Sequence, residues 1–186
     1  MKSINLTRAL IFLCAIFSLP AYASQQVNNF HPENGGVFLR GSVGVAYLNR
    51  TNEIFGYTDH NTAGAYYGST SIGYYFKRNS YQDLHYGLGI KGIFIYTPSN
   101  KDGIYFVHAP TLEFLISKYI TPKISLDGYI ATIIFVNNIG GSVGYNFTRK
   151  IKGFLSIDYT NALTPLGFVD DDMDAFSSSV GVQYTF

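Results

Sequence analysis

AFSSSVGVQYTF, residues 175–186, alternates between two kinds of side chain. One face carries Phe176, Ser178, Val180, Val182, Tyr184 and Phe186, and the other carries Ser177, Ser179, Gly181, Gln183 and Thr185. Because successive side chains of a strand point to opposite faces, one face is largely apolar and the other is small and polar. A strand of about 10 to 12 residues can cross the hydrocarbon layer at a tilt. The stretch therefore predicts a transmembrane strand, with the edge strand of a soluble sandwich as the alternative.

The amino-terminal segment predicts export. Lys2 and Arg8 supply a basic region, residues 9–19 are apolar, and Ala21-Tyr22-Ala23 is a small-x-small cleavage site. Residues 1–23 are therefore predicted to be a signal peptide cut after Ala23, with an uncleaved anchor as the alternative. The single cysteine, Cys14, lies in this segment, so the exported chain is expected to have no disulfide.

The composition of the chain narrows its class. Hydrophobic residues make up 47% of the sequence, yet after the signal they are spread in alternation and never approach the roughly 20-residue run of a membrane helix. Tyr (16), Phe (15) and Gly (19) are frequent, which is typical of strands that face lipid on one side and a crowded interior on the other. The formal net charge of +1 provides no basic field for nucleic acid.

Alternation and turn residues predict eight strands. Their approximate bounds are 37–48, 65–76, 83–96, 104–118, 123–136, 141–147, 151–160 and 175–186. The connections after even strands are short and most of those after odd strands are longer, as in an outer-membrane barrel. We predict an all-β fold, an eight-stranded antiparallel up-and-down transmembrane β-barrel over residues 37–186, after a periplasmic lead-in at 24–36. Pro110 in the fourth strand counts against this interpretation unless a bulge absorbs it.

Aromatic residues cluster at both ends of the predicted strands. Those towards the longer connections are Tyr47, Tyr66, Tyr96, Tyr105, Tyr159 and Phe176, and those towards the short turns are Tyr74, Phe76, Tyr86, Phe147, Tyr184 and Phe186. A membrane barrel carries two such girdles at its two interfaces, whereas a soluble sandwich has no need of them.

Six charged side chains are assigned to the inner face by the same alternation. They are Arg40, Lys91, Glu113, Asp127, Lys152 and Asp158. Because an eight-stranded barrel is only wide enough for side chains to fill it, these charges are expected to pair or to hold trapped water. Lys91 and Glu113, on neighbouring strands, are predicted to form the first ion pair. This charge network is either a polar plug or a gated ion path, and the sequence leaves both open.

Three residues of the fourth strand, His108, Glu113 and Ser117, are close in sequence and offer the groups of a hydrolytic site. By alternation His108 faces away from the other two, so no triad is predicted. His85 is expected to be a hydrogen-bonded lumen residue rather than a ligand. The run of aspartates from residue 170 to 174 lacks the glycine and spaced ligands of a calcium loop, so no metal site and no cofactor are predicted.

The chain resembles the small eight-stranded outer-membrane barrels, namely the OmpA transmembrane domain, OmpX, Ail and the opacity-type surface proteins. The matching features are Ala21-Tyr22-Ala23, the first strand at 37–47, the inward Lys91 and Glu113, and the aromatic end of residues 180–186. That end is similar to the carboxy-terminal signal read by the outer-membrane assembly machinery. Outer-membrane lipid A deacylases resemble the chain in size and architecture only.

The resemblance implies a monomeric, non-enzymatic barrel of the bacterial outer membrane that serves envelope integrity, adhesion or host interaction through its loops. The loops at 49–64 and 161–174 are the predicted contact regions. Their candidate contact residues are Phe55, Tyr57, Phe168, Asp170, Asp171 and Asp172. The expected partners are outer-membrane lipid, lipopolysaccharide and a host surface or matrix molecule. A lipid A modifying enzyme of the deacylase kind and a narrow pore are the alternatives.

Overall fold

The computed structural model describes the backbone of residues 35–54, 57–76, 84–97, 105–133, 136–166 and 169–186. Within these ranges, the side chains of residues 50, 52–54, 57–61, 105–109, 163–166 and 169–172 are outside the description. The strands are β1 (Gly36–Ile54), β2 (Tyr57–Tyr75), β3 (Leu84–Thr97), β4 (Tyr105–Tyr119), β5 (Ile124–Ile133), β6 (Val136–Asn146), β7 (Ile151–Leu166) and β8 (Val169–Thr185). No helix in the described ranges has the length and apolar character needed to cross a membrane.

The eight strands form one closed antiparallel sheet. Each strand pairs with the next in the chain, and β8 returns to pair with β1 from Phe38↔Thr185 to Ile54↔Val169. Closure removes both sheet edges, so every strand has a partner on each side along its shared length. The predicted all-β, eight-stranded up-and-down barrel is confirmed.

The pairing register gives the tilt of the strands. The residues paired in succession around the barrel are Leu39, Ile72, Ile90, Leu112, Thr132, Asn137, Asn161, Asp174 and Asn49. The path therefore returns to β1 ten positions beyond its start. With ordinary strand spacings, this stagger corresponds to a tilt of about 40°. A barrel of this geometry has an interior that side chains alone can fill.

The two long loops predicted from the sequence are paired strands. Residues of the 49–64 segment continue β1 and β2 up to the Ile54↔Tyr57 pair, and those of 161–174 continue β7 and β8 up to Leu166↔Val169. The loop prediction was wrong because these extensions carry polar residues on both faces. A strand that no longer faces lipid loses the apolar alternation by which it is recognised.

The turn predicted at 137–140 is also part of a strand. β5 and β6 meet at the Ile133↔Val136 pair, so Asn138 and Gly140 lie within β6. The Asn and Gly residues were misread as turn chemistry. Gly140 is instead required by the interior, because a Cβ there would lie 2.6 Å from the Tyr129 hydroxyl.

Pro110 needs no bulge to fit into β4. It pairs with Gly92 on the β3 side, whereas pairing with β5 begins only at Leu112↔Thr132. Pro110 therefore keeps β4 in continuous register with β3, since its neighbours Ala109 and Thr111 pair with Ile93 and Lys91.

The exposed surface of the barrel is apolar and its interior is polar. Val43 and Ile157 keep 69% and 71% of their surface exposed, although both are aliphatic. The inner face carries buried serines, threonines and charged groups, as the predicted alternation required. Towards the β1–β2 and β7–β8 hairpins the interior turns apolar, where a cluster of buried residues fills the lumen. Its members are Ala46, Leu48, Ala65, Tyr67, Ile93, Ile95, Val136, Ala162, Met173 and Ala175.

Aromatic pairs lie at both ends of the outer surface. Two pairs lie near the end of the barrel that carries the β1–β2 and β7–β8 hairpins. Tyr66 contacts Tyr96 and Tyr159 contacts Phe176, with ring centroids 6.2 Å and 4.9 Å apart. At the opposite end, Tyr184 lies over Phe186 with a separation of 4.9 Å. The two predicted girdles are therefore present among the described side chains.

Candidate functional site

Two ion pairs lie inside the barrel. Lys152 Nζ is 2.8 Å from Asp127 Oδ2, and Lys91 Nζ is 3.2 Å from Asp158 Oδ1. All four side chains are buried, so each charge depends on its partner to offset the loss of hydration. Both pairs reach β7, one from β5 and the other from β3, so they connect strands that are not neighbours in the sheet.

Asp127 is the centre of the first half of the network. Besides Lys152, it accepts hydrogen bonds from the hydroxyl of Ser117 at 2.7 Å and from that of Ser142 at 3.1 Å. Ser142 in turn accepts a hydrogen bond from Arg40 Nη2 at 2.8 Å. Asp127 thus receives three donors, and both of its carboxylate oxygens accept hydrogen bonds.

Asp158 is the centre of the second half. It accepts hydrogen bonds from the Tyr129 hydroxyl, from Ser156 Oγ at 3.2 Å and from Lys91. Lys91 also donates to Asn138 Oδ1 at 2.7 Å, which fixes the ammonium group between two oxygens.

The ring of Tyr129 joins the two halves. Arg40 lies 4.9 Å from its centroid and Lys91 Nζ lies 4.0 Å from it, and Arg40 also stacks 3.9 Å from Phe154. Cation–π contacts of this kind strengthen when the groups are removed from water. The charged lumen is therefore one connected network that spans the barrel interior.

The ion pair that we predicted between Lys91 and Glu113 is wrong. The register is the expected diagonal, since Glu113 pairs with Gly89 and Lys91 with Thr111. Lys91 nevertheless reaches across the lumen to Asp158. In so narrow a barrel, the side chains of β3 and β7 meet although the two strands are not paired. Glu113 is 1% exposed, and its Oε2 has no hydrogen-bond partner among the described residues.

The six charged residues assigned to the inner face are all buried in the lumen. The structure brings five of them into the network, namely Arg40, Lys91, Asp127, Lys152 and Asp158. His85 is buried as well, with its ring in edge contact with Tyr75 at 6.3 Å and Tyr119 at 5.3 Å.

Sequence analysis missed the neutral members of the network. Asn138 was placed in a turn, yet it is 1% exposed, accepts from Lys91 and donates to Thr160 Oγ1 at 2.9 Å. Tyr75 is also buried, and its hydroxyl donates to Gln183 Oε1 at 3.2 Å. The sequence did carry a signal for these residues. An Asn, Gln or Tyr at an inward position of a strand is buried and must find hydrogen-bond partners.

The candidate contact residues are only partly described. Phe55 and Phe168 lie outside the described residues, and Tyr57 and the three aspartates Asp170, Asp171 and Asp172 are described in their backbone alone. Their contact role stays a prediction.

The residues that offer the groups of a hydrolytic site are only partly described. The side chain of His108 lies outside the description, while Ser117 donates its hydroxyl to Asp127. Among the described residues, no group of three or more His, Cys, Asp and Glu side chains is arranged to hold a metal ion.

Removing the Tyr129 hydroxyl tests how much its hydrogen bond to Asp158 stabilises the barrel. We expect Tyr129→Phe to lower the free energy of unfolding by about 1–3 kcal/mol, because Asp158 loses one of its buried donors. Urea unfolding of the protein reconstituted in lipid measures the change. Tyr145→Phe, at an exposed position on the outer face, is the matched control. Equal unfolding midpoints for the two variants would show that the hydrogen bond from Tyr129 to Asp158 does not stabilise the barrel.

No protein-family model matches the sequence, and no curated protein matches it. Among solved structures, the crystal structure of neisserial surface protein A is 13% identical and covers 83% of this chain and 100% of its own, with a TM-score of 0.45. The outer membrane protein OprG from Pseudomonas aeruginosa is 11% identical and covers 83% of this chain and 97% of its own, with a TM-score of 0.44. Ail of Yersinia pestis is 12% identical and covers 76% of this chain and 97% of its own, with a TM-score of 0.25. The architecture of the small eight-stranded barrels rests on this chain's own closed pairing.

Proposed function

We propose that this chain is a non-enzymatic barrel of the bacterial outer membrane that presents two tall hairpins at the cell surface. The observation that carries the proposal is the apolar outer surface of a closed barrel whose interior is charged. An apolar surface that encircles the molecule would cause aggregation in water, whereas in a bilayer the same surface contacts lipid. Closure also satisfies the backbone hydrogen bonds along the wall, which the hydrocarbon layer requires.

The two ends of the barrel differ in a way that suggests its orientation. At one end, residues 120–123 and 147–150 make short turns with backbone hydrogen bonds such as Ile120 N to Ile124 O at 2.9 Å. At the other end, β1 remains paired with both β2 and β8 as far as Ile54. The sheet formed by β7, β8, β1 and β2 therefore extends beyond the β5–β6 hairpin. Short turns belong on the periplasmic side and long extensions outside.

The projecting sheet is the surface that we assign to adhesion, host interaction or envelope integrity. Its described strands reach the Ile54↔Tyr57 and Leu166↔Val169 pairs at the end farthest from the short turns, where a partner would be met first. Phe55, Tyr57, Phe168 and the aspartates at 170–172 remain the proposed contact residues. We also propose that the protein is a monomer surrounded by outer-membrane lipid and lipopolysaccharide.

A narrow pore is the less favoured reading of the same lumen. The charged network crosses the interior, and the apolar cluster around Ile93 and Ile95 fills the lumen on its hairpin side. A hydrated ion would have to break the buried ion pairs and then pass an apolar layer, which is costly in both steps. The lumen therefore acts in our proposal as a plug that holds the wall in shape.

Heat-modifiability and surface labelling test the proposal. We expect the protein in the outer-membrane fraction to migrate faster on a gel before boiling than after it, because a closed barrel resists detergent. A short epitope inserted between residues 55 and 56 should bind antibody on intact cells, whereas one placed in the 148–149 turn should bind only after permeabilisation. A protein that is released with soluble periplasmic contents and migrates identically in both lanes would refute the proposal.

A further inference from the structure

A groove runs along the outer wall of the barrel over β5 to β8. It has a volume of about 510 Å³, within the roughly 300–1,000 Å³ of small-molecule sites. At its end towards the β7–β8 hairpin, the rings of Tyr159 and Phe176 contact each other with centroids 4.9 Å apart. The aliphatic side chains that line the rest of the groove are Leu126, Ile139, Val143, Leu155 and Ile157.

The groove exists because its centre has no side chain. Gly141 faces outward on β6, and it pairs with Gly128 on one side and Ile157 on the other. A Cβ at Gly141 would meet only the Asp127 carbonyl oxygen, at 3.5 Å, which is an ordinary contact. The position can therefore take a larger side chain, and such a side chain would fill the groove.

The aromatic end of the groove lies on the cell-surface side in the proposed orientation. Ile157, the partner of Gly141, is two residues from Tyr159 and therefore about 7 Å from it along β7. Half of the apolar band of a barrel is about 12 Å. An acyl chain that enters beside Tyr159 therefore reaches Gly141 within the outer leaflet. The lipid of that leaflet is lipopolysaccharide, whose lipid A anchor carries several acyl chains on a glucosamine disaccharide.

A hydrogen-bond donor lies just beyond the aromatic end. Asn137 pairs with Asn161, one outward position beyond the Ile139↔Tyr159 pair. The Thr132 hydroxyl donates to Asn137 Oδ1 at 2.6 Å. Because this bond holds the amide oxygen, the exposed Asn137 directs its NH2 group, which is a donor, away from Thr132. The donor is at the depth where an acyl chain in the groove is linked to its head group through a carbonyl.

The next outward side chains suit a sugar better than a phosphate. Asn161 Nδ2 donates to Asp174 Oδ1 at 3.0 Å, and the Tyr159 hydroxyl donates to the same oxygen. Amide and carboxylate groups pair with sugar hydroxyls, whereas a carboxylate repels a phosphate. A glycerophospholipid carries its phosphodiester beside the ester carbonyls of its chains. In lipid A a glucosamine ring lies beside the carbonyl, and the phosphates are at the two ends of the disaccharide.

We propose that this groove binds one acyl chain of lipid A, and that Asn137 donates a hydrogen bond to the carbonyl oxygen that links this chain to its sugar. The inference rests on the proposed function, which supplies the bilayer and the orientation of the barrel. The groove is continuous with the apolar outer surface. Its polar rim lies at the aromatic girdle, where the hydrocarbon layer meets the head groups.

Close packing is the source of the binding energy in the groove. Lipid tails are as apolar as the groove lining, so a tail gains no hydrophobic free energy by entering it. A chain seated over Gly141 has Ile139, Val143 and Ile157 around it, whereas a chain against a flat wall has protein on one side only. The additional van der Waals contacts and the hydrogen bond from Asn137 therefore hold one chain more firmly than the rest of the wall does.

Lipid retention measured by native mass spectrometry tests the assignment. The full chain is reconstituted in bilayer discs of equimolar lipid A, phosphatidylethanolamine and phosphatidylglycerol, and is then transferred to mild detergent. We expect wild type to retain one lipid A with a preference of at least about tenfold over either phospholipid. Gly141→Leu should lower the retained lipid A at least about tenfold because the leucine fills the groove. Asn137→Asp keeps the acceptor for Thr132 but removes the donor, and should lower it about fivefold.

Gly41→Leu is the matched control. Gly41 lies in a second outer groove, of about 690 Å³, which includes Tyr184 of the girdle at the turn end. A Cβ at Gly41 would have no atom within 4 Å, so the same substitution fits there. This variant should retain lipid A as wild type does. Equal retention of lipid A and a phospholipid by wild type, no effect of Gly141→Leu, or an equal loss in Gly41→Leu would each overturn the inference.

The same preparations separate this inference from the proposed function. Wild type and all variants are first required to appear heat-modifiable in the outer-membrane fraction. If they do and the preference for lipid A is absent, the groove assignment is wrong while the barrel stands. If wild type itself is not in that fraction, the proposed function is wrong.

Discussion

Asp127→Asn should lower the free energy of unfolding by about 3–5 kcal/mol, the largest effect that we expect from any single lumen substitution. The change keeps the side-chain volume but removes the charge that Lys152 meets at 2.8 Å. Lys152 would then be a buried cation without its counterion. Ser117 and Ser142 both donate hydrogen bonds to the carboxylate. In the variant, one of the two acceptor oxygens becomes an NH2 group, which is itself a donor and cannot accept these bonds. Unfolding in urea, followed in lipid by the loss of the fast-migrating gel species, measures the change.

Glu113→Gln is the matched control for that prediction. It is the same acid-to-amide change at an equally buried position of the same lumen, but Glu113 forms no ion pair with the described residues. We therefore expect a smaller shift, below about 2 kcal/mol, since only the longer-range attraction of Glu113 to Arg40 and Lys91 is lost and Oε2 already lacks a hydrogen-bond partner among the described residues. If Glu113→Gln destabilises the protein as much as Asp127→Asn does, the loss of a buried acid explains both effects, and the ion pair between Asp127 and Lys152 is not the cause.

Val43→Arg should cost about 2–4 kcal/mol in a bilayer. Val43 is 69% exposed on the outer face of β1, opposite Val180 of β8 and well inside the two aromatic girdles. An arginine there would face hydrocarbon and must bend towards the interface to keep its charge hydrated. Equilibrium unfolding of the protein in lipid vesicles measures the loss.

Thr62→Arg provides the comparison for the same new side chain. Thr62 is exposed on the same outer face of β2, but it lies beyond Tyr66 on the hairpin extension. In our proposal it meets water, so the change is expected to stay within about 0.5 kcal/mol. If both arginine variants were neutral, the apolar surface would face water or a protein partner, and the membrane assignment would be wrong.

The inward and outward faces were predictable because they follow from alternation alone. Alternation assigned Arg40 to the inner face of β1, where an arginine avoids lipid, and the structure buries it there. The last stretch of the chain behaved in the same way, with Val180 and Val182 outward and Gln183 inward. These predictions needed no knowledge of which strands meet.

Strand ends and the β5–β6 turn were less predictable. Polar strands that extend beyond the apolar surface have the composition of loops, which is why residues 49–64 were misassigned. Asn138 and Gly140 have the composition of a turn, but the interior uses the amide of one to hold Lys91 and the missing side chain of the other to admit Tyr129. Local composition cannot show a requirement that a distant strand imposes.

The sequence by itself determined that this chain forms a closed antiparallel barrel with charged residues inside and aliphatic residues outside. That information is local, because a period of two assigns each residue to a face from its immediate neighbours. Only the tertiary structure decided that Lys91 pairs with Asp158, and that Glu113 forms no ion pair with the described residues. The stagger and narrow diameter bring β3 and β7 together across the lumen, and no pattern along a single strand records a distance across the barrel.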